Sequence, residues 1–214
     1  MAAGLRERRK QETRLAISDI ATRLFAQRGF DSVTISQVAE AAGVSKMTVT
    51  NYFPRKEDLV FDRAEAIISG LADAVSARGP GEGLLTAVRR DYAAAVARRD
   101  ATLGVSSREF AQMVERSPVL AGRMREILDL REQALADAIA AEAGEDRVQA
   151  RLVAAHLALV HRVLYAEASR RSLAGQGPAE IFAVLATEAE RAFAMLEPTL
   201  GGYGVPPADR PHPA

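Results

Sequence analysis

The sequence contains no cysteine and no tryptophan, which excludes disulfides, thiolate nucleophiles and cysteine-ligated zinc. Aromatic residues make up only 5%, and the apolar positions are filled mainly by alanine and leucine, a choice that favours helices over strands. Long apolar runs are missing: none approaches the ~20 residues needed to span a bilayer, and the N-terminal MAAGLRERRKQETR lacks the apolar core of a signal peptide. The expected location is therefore the cytoplasm, without membrane contact. Net charge is absent too, with 28 basic against 28 acidic side chains. What is present is a globular composition, 48% hydrophobic and 26% charged over 214 residues, enough for one large domain or two small ones.

The zero sum hides an uneven distribution. Residues 1–56 hold ten basic side chains (Arg6, Arg8, Arg9, Lys10, Arg14, Arg23, Arg28, Lys46, Arg55, Lys56) against five acidic ones (Glu7, Glu12, Asp19, Asp31, Glu40), so this part carries +5 and the remainder −5. Such a split suggests a basic module that approaches a polyanion, joined to an acidic module with another task. Charge alone leaves chance clustering open.

Periodicity locates the elements of the basic module. Ile17, Ile20, Ala21, Leu24 and Phe25 recur at helical spacing, Gly29 ends that helix, and Phe30 falls where a C-cap would bring it onto Phe25. Thr34-Ile35-Ser36-Gln37 fits a capping box, with Val33 and Val38 placed as the staple around it. The helix it starts is expected to reach about Ala42, where Gly43 interrupts and Ser45 offers the next N-cap. Helix, glycine turn and helix within twenty residues is the spacing of a helix-turn-helix, although two unrelated helices of a bundle would share it. The faces of the third helix say more. Val49 and Phe53 can join Val44 inward, which leaves Lys46, Met47, Thr48, Thr50, Asn51 and Tyr52 on other faces. Asn pairs with adenine, Thr and Met meet a thymine methyl, Lys reaches guanine or phosphate, and the Tyr hydroxyl and Lys56 suit phosphates.

After residue 55 the pattern is helical throughout. A helix is expected from Lys56 to the break at ARGPGEG (77–83), with Glu57 and Asp58 in its first turn, and further breaks at 100–104, Ser117-Pro118, EAGED (142–146) and AGQGP (174–178). The total is about nine helices. The last two, 146–173 and 178–197, carry apolar stripes that suit either a core or a dimer seam. The terminal PTLGGYGVPPADRPHPA has enough Pro and Gly to predict disorder over 198–214.

Thr34 to Leu59, TISQVAEAAGVSKMTVTNYFPRKEDL, closely resembles the DNA-binding signature of the tetracycline-repressor (TetR) family of transcriptional regulators; Met47 and Thr50 depart from it, standing where Gly and an aromatic residue are frequent. The resemblance implies an all-α fold: an N-terminal arm and helix-turn-helix domain over residues 1–55, then a helical effector-binding and dimerisation domain over 56–197. It implies a homodimer through the last two helices and a major-groove contact by the third. Thr34, Tyr52 and Lys56 would then touch phosphates, and Ser45, Lys46, Met47, Thr50 and Asn51 would lie at or near base edges; Thr48, on the same helix, is a further candidate DNA contact. It also implies a regulator, most simply a repressor on a palindromic operator, released by a largely apolar small molecule. Tyr92, Arg108, Phe110, Met113, Met124, His161 and Tyr165 are the candidate pocket side chains, being polar or polarisable within otherwise aliphatic helices.

Catalysis finds little support. His156 and His161 are five apart, about 140° around a helix, and no Glu-x-x-His pair or Gly-x-Ser-x-Gly elbow occurs. The glycines of GPGEG (79–83) follow no strand. No enzyme activity, metal or cofactor is expected, and the alternative reading is a helical small-molecule-binding scaffold or enzyme without DNA-binding activity.

Overall fold

The computed structural model describes the backbone of residues 2–143 and 147–204 and the side chains of 8–142 and 147–204. Among these residues the regular structure is all helical: α1 (Ala2–Arg28), α2 (Ile35–Ala41), α3 (Lys46–Tyr52), α4 (Ala64–Ser76), α5 (Leu84–Ala97), α6 (Arg108–Arg116), α7 (Pro118–Ala143), α8 (Arg147–Leu173) and α9 (Pro178–Leu200), with 3-10 turns at Lys56–Leu59 and Ala101–Leu103. No helix among the described residues is long and apolar enough to cross a membrane. The chain forms two compact units, one of residues 1–64 and 109–125, the other of 65–108 and 126–214.

In the first unit the inward positions of α1 to α3 and of the segment that follows α3 close one small core: Ile17, Phe25, Val38, Val49, Phe53 and Leu59 are each at most 1% exposed. Burying side chains of this size contributes roughly 1.5–3 kcal/mol each. The Phe25 and Phe30 rings meet edge-on with centroids 5.1 Å apart, as the C-cap reading anticipates. Past α3 the chain departs from expectation. Instead of one helix from Lys56 there is the 3-10 turn, an irregular link over 60–63, and then α4. The link is fastened to α1. The Ser18 hydroxyl donates to the Leu59 carbonyl at 3.0 Å, and the Arg14 guanidinium donates to the Asp62 carbonyl at 2.5 Å. These two bonds hold the irregular link against α1.

The second unit is built around α5, α8 and α9, with α9 packed along the other two. Its core gathers Leu71, Leu85, Val88, Leu135, Ile139, Leu157, Leu164, Ile181, Leu185 and Phe193. Gly104, at φ +87°, is needed for two reasons: its backbone is left-handed, and a Cβ there would lie 2.8 Å from the Tyr165 ring. The expectation of disorder over 198–214 fails for its first part. The helix α9 continues to Leu200, which is buried, and the Tyr203 carbonyl accepts the Leu84 amide at 3.3 Å. The rest of that segment, 205–214, lies outside the described residues, as do positions 144–146 of the EAGED break.

Candidate functional site

Two local caps aim the third helix. Thr34 is the N-cap of α2: its hydroxyl accepts the Gln37 amide at 3.3 Å while its own amide donates to Gln37 Oε1 at 2.8 Å, the reciprocal pair of a capping box. Gly43, at φ +65°, turns the chain, and the Val44 amide reaches back to the Ala39 carbonyl at 3.0 Å. Ser45 then caps α3 by accepting the Thr48 amide at 3.0 Å.

The result is a two-sided helix. Val49 and Phe53 are fully buried, whereas Met47 is 69% exposed and Ser45, Lys46 and Asn51 are exposed with it. Thr48, Thr50 and Tyr52 are half-buried at the edges of that face, and Val44 is only half-buried on the other side. Local bonds occupy several hydroxyls: Ser45 Oγ lies 2.8 Å from Thr48 Oγ1, and Thr50 Oγ1 donates to the Lys46 and Met47 carbonyls. Ser45, Thr48 and Thr34 therefore hold the helices as well as facing outward. Lys46, Met47 and Asn51 are the side chains that extend from the face.

Lys56 is turned inward. Its ammonium sits 4.2 Å from the Phe30 ring centroid and donates to the Asp31 carbonyl at 3.5 Å, and burial lowers its pKa. This lysine therefore helps to close the end of α1.

The second unit holds a cavity of about 370 Å³. Of the seven candidate pocket residues, Tyr92 and His161 line it. Arg108, Phe110, Met113, Met124 and Tyr165 do not: Met113 borders a separate hollow beside Phe25 and Phe30, Met124 is buried in the first unit, and Tyr165 packs on Gly104, burial pushing its hydroxyl up to about 12. Sequence reasoning missed Arg131, whose side chain lines the cavity and is buried. Its signal was available. Arg131 is the one charged residue on the face of α7 that buries Leu120, Met124, Ile127, Leu128, Leu135 and Ile139. One guanidinium nitrogen of Arg131 lies 2.9 Å from Nδ1 of His161, and the Tyr92 and His161 rings meet edge-on at 5.0 Å. Burial, with help from the Arg131 charge, drives the His161 pKa well below its ordinary value; burial likewise lowers Arg131 to about 10 and raises Tyr92.

Relatives carry the same outline. Residues 17–62 match the family model described as bacterial regulatory proteins, tetR family. The HTH-type transcriptional regulator TcmR of Streptomyces glaucescens is 31% identical over 172 residues, 77% of this chain and 76% of that one. AcrR of Shigella flexneri, also an HTH-type transcriptional regulator, is 38% identical over 77 residues, 35% of this chain and 36% of its own. Among solved structures, Salmonella enterica GusR has a TM-score of 0.52 at 21% identity, covering 89% of this chain and 96% of that one. NalD of Pseudomonas aeruginosa, the secondary repressor of the MexAB-OprM multidrug efflux pump, has 0.52 at 18% identity, covering 90% and 97%. At these identities the structural likeness concerns the fold, while the TcmR match extends the sequence relationship well beyond the helix-turn-helix. The chain belongs to the tetR family of bacterial regulatory proteins and is a DNA-binding, helix-turn-helix transcriptional regulator.

Proposed function

We propose that the protein is a repressor that binds a palindromic operator as a homodimer and is released by a small molecule held in the cavity of the second unit. One observation carries this reading: α3 buries Val49 and Phe53 completely while leaving Lys46, Met47 and Asn51 exposed. An outer face of this composition matches the donors and apolar surfaces of a major groove better than it matches water. Thr50 flanks these three, and Thr34 and Tyr52 take the phosphates on either side. With two copies, recognition helices about 34–36 Å apart would read half-sites one helical turn apart.

The experiment is fluorescence anisotropy with DNA from upstream of the protein's own gene, at two salt concentrations, comparing wild type with Asn51→Ala. Affinity should fall with salt by a slope of about −0.9 for each phosphate neutralised. Asn51→Ala should lose about 1–3 kcal/mol of specific binding and, being exposed, stay within ~0.5 kcal/mol of wild-type stability. Salt-independent binding, or none to this DNA and to random duplexes alike, would favour a helical ligand-binding scaffold instead.

A further inference from the structure

The cavity of the second unit has a donor pattern that specifies a class of ligand. Arg131 can only donate, so His161 Nδ1, 2.9 Å away, must be the acceptor of that bond. The neutral imidazole then carries its proton on Nε2. Among the described residues three buried polar atoms, belonging to side chains that line the cavity, have no hydrogen-bond partner: Arg131 Nε, His161 Nε2 and the Tyr92 hydroxyl oxygen. Two of these are N–H donors, and the third can donate. Buried polar groups left in this condition each cost about 1–3 kcal/mol, and a buried cation costs more unless an anion joins it.

The other charges on the lining are largely engaged. Asp73 accepts the Ser69 hydroxyl at 2.6 Å, Arg90 pairs with Glu82 at 2.8 Å, and Asp100 pairs with Arg98 at 3.4 Å while accepting the Thr102 amide. Arg131, by contrast, has a neutral imidazole as its hydrogen-bonding partner, with Asp91 acting on it through charge. Burial raises the pKa of Asp91 despite the arginines around it.

From this geometry we infer that the cavity selects a small acid, whose carboxylate or other anionic oxygen is taken by Arg131, His161 Nε2–H and the Tyr92 hydroxyl. A volume of about 370 Å³ falls within the range of small-molecule sites, at its lower end. The inference rests on the proposed effector role of this cavity and adds the sign and chemistry of the ligand.

The test is isothermal titration calorimetry of the full-length protein with benzoate, 2-naphthoate and decanoate, each beside its neutral primary amide. At least one acid should bind tenfold or more tightly than its amide. Arg131→Met should bring that acid down to the affinity of the amide and leave the amide unchanged. Asp91→Asn, which removes a negative charge from the lining, should tighten the acid several-fold and serves should Arg131→Met fail to fold. Equal or tighter binding of the amides, undiminished acid binding by a folded Arg131→Met, weaker acid binding by Asp91→Asn, or no binding by any of the three acids would each overturn the assignment. Repeating the operator-binding assay with the same compounds separates the two claims. Acid that binds without weakening DNA affinity removes the effector role but keeps the site; release of DNA by the amides alone does the reverse.

Discussion

Burial keeps the imidazole of His161 uncharged, and that makes pH a probe of the cavity at the level of one residue. Its folded pKa lies well below its ordinary value, through desolvation first and the charge of Arg131 second. The unfolded chain takes up a proton near pH 6.5 that the folded chain refuses, so this residue's contribution is intact above that pH and is lost as pH falls below it. The slope approaches 1.4 kcal/mol per pH unit for one proton. Urea unfolding of wild type between pH 7 and 5 should show this loss on top of the carboxylate titrations. His161→Asn keeps an acceptor near the Nδ1 position and cannot titrate, so the difference between the two curves should shrink steadily as pH is lowered. Parallel curves would mean that His161 titrates in the folded protein much as it does in the unfolded one.

Among the elements, α2 and α3 were the most legible in the sequence because their signals are local: the Thr34–Gln37 box, Gly43 and the Ser45 cap all act within three residues. The link between α3 and α4 was not legible, since the groups that fasten it to α1, Ser18 and Arg14, stand 41 and 48 positions away from the carbonyls they engage. The cavity was half legible for a similar reason. Tyr92 and His161 stood out as polar residues in aliphatic helices, but so did Met113 and Tyr165, and residue type does not say which helix faces meet. One further long-range tie bears on how the elements act together. Asp58, in the 3-10 turn after α3, accepts the Arg123 guanidinium at 2.8 Å, both side chains being at most 15% exposed. Arg123 and Arg131 share one helix, α7, whose first eight residues belong with the helix-turn-helix unit and whose remainder belongs with the cavity. If a ligand in the cavity releases the operator, as proposed, α7 is a candidate for carrying that coupling. Removing one partner of the Asp58–Arg123 pair should cost more than the ~1 kcal/mol of a surface pair and less than the ~3–5 of a fully buried one. A cycle of Asp58→Asn, Arg123→Met and the double variant should yield a coupling of about 0.5–3 kcal/mol in stability, together with a weaker effect of bound ligand on DNA affinity. Additive stabilities would show that the pair contributes nothing as a pair. Unchanged ligand response would rule that role out for this pair.

For the whole molecule the question is what covers the outer side of α8. Val148, Leu152, Leu159 and Val163 are 63%, 57%, 54% and 56% exposed, and at 100° per residue all four fall within a stripe about 60° wide. The opposite side of the same helix buries Ala150, Ala154, Leu157 and Leu164 in the core, so the stripe is additional to what the fold requires. Met195, 79% exposed on α9, is apolar surface on the helix packed against it. Apolar surface repeated along a helix usually marks an interface, and a second copy is the occupant that the proposed two-fold operator would call for. Leu152→Asp with Leu159→Asp places charges on the stripe without touching the core, so the fold should survive and circular dichroism should be unchanged. Analytical ultracentrifugation should report a monomer. Since a monomer engages one half-site and loses the tethered second contact, its operator affinity should fall by at least ~10²-fold, whereas its affinity for an acid in the cavity should change little. A folded variant that remains dimeric and binds DNA like wild type would mean that the seam lies elsewhere on the second unit, with the α8 stripe left for another partner.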